Sequence, residues 1–116
     1  SSLPGACITG VKIDGISHEY TTIKGVKESV LDISLNLKLL DIKKETKDIS
    51  TITLETSKGG KITAKDIKCP SEVEILNPEQ YIETLEKGTK LKMEMRVEKG
   101  VGYIPATVRQ KEEKDT

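Results

Sequence analysis

Paired carboxylates are the commonest residues in this chain that could do chemistry. Glu94 with Glu98, and Glu112 with Glu113, could serve general acid and base catalysis. Nothing in the surrounding sequence places a nucleophile beside either pair. We therefore interpret all four carboxylates as solvated surface charges.

One histidine and two cysteines complete the reactive residues. His18 lies between Ser17 and Glu19, but adjacent strand residues point to opposite faces, so the three cannot share a site. A structural zinc site needs about four ligands, and Cys7 and Cys69 are far apart in the sequence. We predict two free thiols, with Cys7 packed as a small hydrophobic side chain, and neither a metal nor a cofactor site.

The glycines at 100 and 102 give a superficial likeness to a phosphate-binding loop. No Lys-Ser or Lys-Thr pair follows them, and Pro105 prevents a helix from starting where a phosphate would need its amino terminus. The segment predicts a bent loop at the end of a strand. Catalysis by this chain alone is not predicted.

Composition narrows the class of protein. The 116 residues suit one domain, and 19 basic against 19 acidic residues give no net field to attract nucleic acid. Aromatic residues are 3%, with no Trp or Phe, so the core must consist of Ile, Leu, Val and Met. No run is long and apolar enough to cross a membrane. We expect a cytoplasmic protein without direct DNA binding.

Alternating apolar and polar residues predict several strands. In the first strand, Cys7, Thr9, Val11 and Ile13 are predicted to share one face, and an Asp14-Gly15 turn leads to a strand over residues 18–22. Later strands are predicted at 50–56, at 61–64 after a hairpin turn at 58–60, and at 72–76, 81–85 and 90–98.

Residues 26–40 fit two interpretations. Strict alternation favours a strand slightly, whereas length and the richness in leucine favour a helix, which we predict. On a helix, Leu31, Leu35 and Leu39 form a second apolar stripe, either a partner surface or a face covered by the sheet. The predicted class is α+β: a β-rich domain whose antiparallel strands and hairpins pack on one main helix.

Three ordered segments carry a family resemblance. They are residues 3–6 running into 11–20, residues 25–38, and residues 100–106, which read GVGYIPA. Together they resemble the insert domain in the amino-terminal region of the bacterial-type RNA polymerase α subunit. The resemblance independently implies a helix within residues 25–38.

The resemblance also implies a function. In that family, two α subunits pair through an assembly domain and form the platform for the β and β′ subunits, which hold the metal-bound active centre. The chain is thus expected to be a single non-catalytic domain, 1–116, excised from its flanking assembly domain and supporting polymerase assembly in a bacterium or plastid. Dimerisation would belong to the absent assembly domain. Residues around Pro4 and Val108 are expected to be neighbours.

Residue roles follow from the motif positions. The matching positions are Pro4, Gly5, Asp14, Gly15, His18, Glu19, Asn36, Lys38, Gly102, Tyr103 and Pro105. The candidate subunit-interface residues are Leu31, Leu35, Asn36, Lys38, Leu39, Gly102, Tyr103 and Pro105. Two positions depart from the family: Val101 stands where arginine is common, and Leu39 where glycine often follows the lysine.

Glu112, Glu113 and Asp115 form an acidic cluster that could contact transcription activators. Two rival functions remain at this point. One is a freestanding β-rich module that binds a peptide at a sheet edge. The other is a small hydrolase, which would need a clustered nucleophile and base and is the weakest alternative because the chain has one histidine.

Overall fold

The two longest strands, one near each end of the chain, pair at the centre of the main sheet. The computed structural model describes residues 5–15 and 22–100, and the strand Val108–Arg109. The strands are β1 (Ala6–Ile13), β2 (Ile42–Lys44), β3 (Ser50–Thr56), β4 (Gly60–Thr63), β5 (Val73–Ile75), β6 (Tyr81–Leu85), β7 (Leu91–Lys99) and β8 (Val108–Arg109). Helix α1 spans Val30–Lys38, and a 3-10 turn spans Ala64–Asp66.

The main sheet has the order β3-β7-β1-β2-β5, and β8 pairs with β1. In the β1–β7 ladder, Ala6 lies opposite Lys99 and Ile13 opposite Met93. The β1–β8 pair is parallel, whereas the other ladders are antiparallel. Strands β4 and β6 form a second, two-stranded antiparallel sheet. Burial of alternate apolar residues on both sheets forms the core.

Helix α1 begins where its capping residues dictate. The Ser29 hydroxyl accepts a hydrogen bond from the Asp32 amide, and the Asp32 carboxylate accepts one from the Ser29 amide, which completes a capping box. The helix packs on β1 and β6. It buries Val30, Ile33 and Leu37, which recur at helical spacing.

The predicted α+β class, with strands packed on one main helix, is wrong. The helix has nine residues instead of the fifteen predicted, and the described chain is mostly antiparallel strand. Most buried apolar side chains come from the strands, so the core is a β core to which α1 adds one face. The helix was predicted too long because Val26, which continues the apolar pattern, instead bridges Leu85 of β6, and the Lys27 amide donates to the Thr84 carbonyl before the cap at Ser29.

The predicted alternation of β1 is also wrong at its start. The register with β7 shifts between Ile8 and Gly10, so Ala6 and Ile8 are buried before the shift and Val11 and Ile13 after it. An extra residue in one strand reverses which side chains face the core. Cys7 is therefore half-buried on the opposite face.

The predicted hairpin at residues 58–60 does not form. Strand β3 pairs with β7, and β4 pairs with β6 in the other sheet. Gly59 has a φ of +71°, and a Cβ there would lie 3.0 Å from the Lys87 Cα. The glycine thus carries the chain past the 86–89 turn into the second sheet. The predictions match β3 and β6 to the residue, and β4, β5 and β7 to within one residue at each end. Strands β2 and β8 were not predicted, and the predicted strand at 18–22 lies outside the described residues except for residue 22.

Candidate docking surface

Helix α1 exposes one of its two apolar stripes. Leu35 is 50% exposed and Leu39 58% exposed, while Leu31 is half-buried. Residues four apart lie on the same helix face, so Leu35 and Leu39 are neighbours on the surface. The sheet covers the stripe of Val30, Ile33 and Leu37 and leaves this second stripe open.

Asn77 fixes the end of the helix beside a third exposed leucine. Its Nδ2 donates a hydrogen bond to the Leu39 carbonyl at 3.0 Å, and its Oδ1 accepts one from the Asp41 amide at 2.8 Å. The Leu76 amide donates to the Asp41 carbonyl at 2.7 Å. Leu76 is 50% exposed. We call Leu35, Leu39 and Leu76 the leucine patch.

Lys38 places a cation next to the leucine patch. It is exposed in the last turn of α1, where the negative end of the helix dipole favours a positive charge. Exposed leucines next to a charge are typical of a surface that binds another protein rather than a small molecule.

The Asn36 side chain forms a hydrogen bond within the domain. Its Nδ2 donates a hydrogen bond to the Ile82 carbonyl at 2.9 Å, and the residue is half-buried. This bond ties the middle of α1 to β6. The orientation of the leucine patch therefore depends on Asn36, which the sequence proposed as an interface residue.

Asn36→Ala should lower the free energy of unfolding by about 1–2 kcal/mol, because the carbonyl of the buried Ile82 loses its donor. Urea unfolding followed by circular dichroism measures the change. Asn36→Asp offers an acceptor in place of the donor and should cost at least as much. A loss below about 0.5 kcal/mol in Asn36→Ala, the size expected for a neutral surface change, would show that the bond does not hold the helix.

Comparison with known proteins identifies the domain. A family model described as the RNA polymerase Rpb3/RpoA insert domain matches residues 11–116. The chain belongs to this insert-domain family. The DNA-directed RNA polymerase α subunit of Moorella thermoacetica is 51% identical over 113 residues, which are 97% of this chain and 36% of that protein.

Other α subunits have a similar sequence identity to this chain. That of Synechocystis is 50% identical over 103 residues, 89% of this chain and 33% of the relative. That of Corynebacterium efficiens is 48% identical over 108 residues, 93% of this chain and 32% of the relative. The chain thus spans about a third of the length of the curated relatives it matches. The predicted family is confirmed.

Several predicted contact residues of the insert domain lie outside the described residues. They are His18, Gly102, Tyr103, Pro105, Glu112, Glu113 and Asp115. The Gly100 amide donates to the Gly5 carbonyl at 3.3 Å, so the chain leaves β7 where it enters β1. Val108 pairs with Val11, further along β1. Because Pro4 is not described, its predicted proximity to Val108 stays a prediction.

The described carboxylates that were considered for catalysis have ordinary partners. Glu94 lies 3.9 Å from Lys12, and Glu98 accepts a 2.6 Å hydrogen bond from the Thr9 hydroxyl. Both cysteines are free thiols, as predicted, and burial raises the pKa of Cys69. Within residues 5–15 and 22–100, no group of three or more metal-ligating side chains occurs.

None of the helices in the described part of the insert domain has the length and apolar character needed to cross a membrane.

Two further features of the insert domain were missed from the sequence. A groove of about 340 Å³ lies on the sheet face away from the core, between Gly10 and Lys12 of β1, Thr51 of β3 and Arg96 of β7. The sequence did contain one indication of the bulge in β1, because a glycine inside a strand, here Gly10, often marks a bulge. The second feature is Glu83, a fully buried carboxyl on β6. Alternation gave no signal for it, because a glutamate in a strand normally marks the solvent face.

Proposed function

We propose that this insert domain is a non-catalytic docking element of the α subunit that supports assembly of the core RNA polymerase. One copy would contact the β subunit and the other the β′ subunit. The second α subunit would be reached only through the assembly domain, and the complex would work in the cytoplasm. The observation that carries the proposal is the exposed leucine patch on a helix anchored at Asn36 and Asn77.

The physical basis is burial of the leucine patch. Each fully buried leucine contributes about 1.5–3 kcal/mol, and half of each side chain in the patch is still exposed. Three leucines can therefore contribute a few kcal/mol to docking, with Lys38 at the edge setting specificity. The segment at residues 100–106, which contains Gly102, Tyr103 and Pro105, would add a second contact. No DNA contact is proposed, because the chain has no net charge.

Lys38→Glu in a full-length α subunit should weaken capture of a large subunit by about three- to tenfold, because reversing a charge at an interface edge changes electrostatic attraction by about 1 kcal/mol. Co-purification of β and β′ with tagged α, titrated with salt, measures the change. Lys61→Glu is the matched control, since Lys61 is exposed on β4 of the second sheet. Equal assembly by both variants would count against the Lys38 contact.

The acidic cluster has a separate proposed role. Glu112, Glu113 and Asp115 are proposed to contact transcription activators, which their shared negative charge would attract. In an intact polymerase, replacing all three by neutral residues should reduce activator-dependent transcription and leave basal transcription unchanged. Undiminished activation in that triple variant would overturn the assignment. The freestanding peptide-binding module is not proposed, because the chain belongs to the insert-domain family.

A further inference from the structure

Glu83 is the buried group whose environment does not suit its charge. Its side chain lies on β6 opposite Ile62 of β4 and has 0% exposure. Neither carboxyl oxygen accepts a hydrogen bond from any described residue. A buried carboxylate without donors is strongly unfavourable, so the fold favours the neutral acid.

A second glutamate increases this preference. Glu28 lies just before the cap of α1, and its Oε1 accepts a 3.0 Å hydrogen bond from the Thr84 amide. Its Oε2 accepts a hydrogen bond from the Tyr81 hydroxyl. Burial, and secondly the charge of Glu28, raise the pKa of Glu83 from 4.5 to about 8. Burial and Glu28 also raise the pKa of Tyr81.

No cation compensates Glu83 within the described chain. The titratable group that acts on Glu83 is Glu28, and Glu83 in turn helps to raise the pKa of Tyr81. None of the other charged residues on the adjoining elements forms a hydrogen bond with Glu83, and all of them are exposed. They are Lys27 before the helix, Asp32 and Lys38 on α1, and Lys61 on β4.

Residues 25–28, which we call the strap, close over the edge of β6 beside Glu83. The Lys27 amide donates to the Thr84 carbonyl at 3.0 Å, and the Glu86 amide donates to the Gly25 carbonyl at 2.7 Å. Glu28 accepts two more, from the Thr84 amide and the Tyr81 hydroxyl, so four hydrogen bonds hold the strap, and two of them end on the acid that repels Glu83.

We propose that Glu83 and the strap form a proton-linked latch, closed over β6 while Glu83 is protonated and opened with release of one proton. On opening, water reaches the Glu83 carboxyl, and its proton passes to the solvent. Because Ser29 caps α1 directly after the strap, opening also releases the start of the helix that carries the leucine patch. The latch concerns the fold and does not depend on the proposed docking role.

The sign of the effect follows from proton linkage. A carboxyl whose pKa is higher in the closed state than in water stabilises that state fully below pH 4.5, and loses this stabilisation as the pH rises towards about 8. Between these values, each pH unit should favour opening by about tenfold.

Hydrogen exchange followed by mass spectrometry, on the full-length protein that carries this chain, tests the latch. The opening constant of peptides covering residues 25–29 and 81–86, corrected for intrinsic exchange, should rise about tenfold per pH unit between about pH 5 and 7.5. Glu83→Gln should make it independent of pH. Glu83→Leu, which leaves no polar group at position 83, is the second variant should the glutamine variant fail to fold.

Glu86→Gln is the matched control, because Glu86 is exposed one residue beyond β6. It should keep the slope of the unmodified protein. A flat profile in the unmodified protein, or an unchanged slope in the foldable Glu83 variant, would overturn the proposal. A slope that disappears when Mg²⁺ is added would also overturn it, since the pair of glutamates would then hold a cation instead of a proton.

Discussion

Leu37→Ala is expected to lower the free energy of unfolding by about 2–5 kcal/mol, a large part of the stability of a small domain. Leu37 is 2% exposed and packs in the core beneath α1. Its removal loses the favourable free energy of transferring the side chain out of water, and the cavity that remains destabilises the domain further. Urea unfolding followed by circular dichroism measures the loss.

Leu35→Ala is the matched control on the same helix. Leu35 is half exposed, so this change should stay within about 0.5 kcal/mol of the unmodified chain. In a full-length α subunit, Leu35→Ala should nevertheless weaken capture of a large subunit if the leucine patch docks there. Equal destabilisation by the two variants would mean that Leu35 also belongs to the core.

Gly25→Ala should destabilise the domain by roughly 2–5 kcal/mol, because backbone strain and overpacking add at this position. Gly25 has a φ of +84°, and a Cβ there would lie 2.1 Å from the Thr89 Oγ1 and 2.9 Å from its Cγ2. The substitution would push the strap away from the 86–89 turn. The midpoint of urea unfolding reports the change.

Gly88→Ala separates strain from overpacking. Gly88 has a φ of +88°, but no described atom lies within 4 Å of its Cβ position, so only the backbone cost of about 1–2 kcal/mol should remain. Adding Thr89→Ala to Gly25→Ala should restore part of the lost stability, which a double-mutant cycle quantifies. Equal losses at Gly25 and Gly88 would contradict the close contact with Thr89.

The placement of α1 shows how far local signals reach. Ser29 and Asp32 mark the start of the helix through their mutual hydrogen bonds, and this signal is readable in the sequence. The apolar pattern from Val26 onward nevertheless extended the predicted helix too far. Val26 is buried because it bridges Leu85 on β6, a long-range contact that helical periodicity cannot distinguish from an additional turn.

The candidate docking surface likewise combines residues that the sequence predicted with contacts that only the tertiary structure shows. The motif positions Asn36 and Lys38 were available from the family resemblance, and the helix that carries them forms. The inward bond of Asn36 to Ile82 and the bond of Asn77 to the Leu39 carbonyl were not predictable. Both depend on β6 and the 76–77 segment, which lie more than thirty residues further along the chain.

The sequence by itself determined the family, most of the strands and the absence of net charge, because motifs and alternation are encoded within a few neighbouring residues. Tertiary structure alone decided that β3 pairs with β7, that a bulge reverses the faces of β1, and that Glu83 is buried while Leu35 and Leu39 are exposed. Alternation specifies which residues share a face. The partner strand and the buried face are selected by the packing of segments distant in the chain, which minimises the apolar surface left in water.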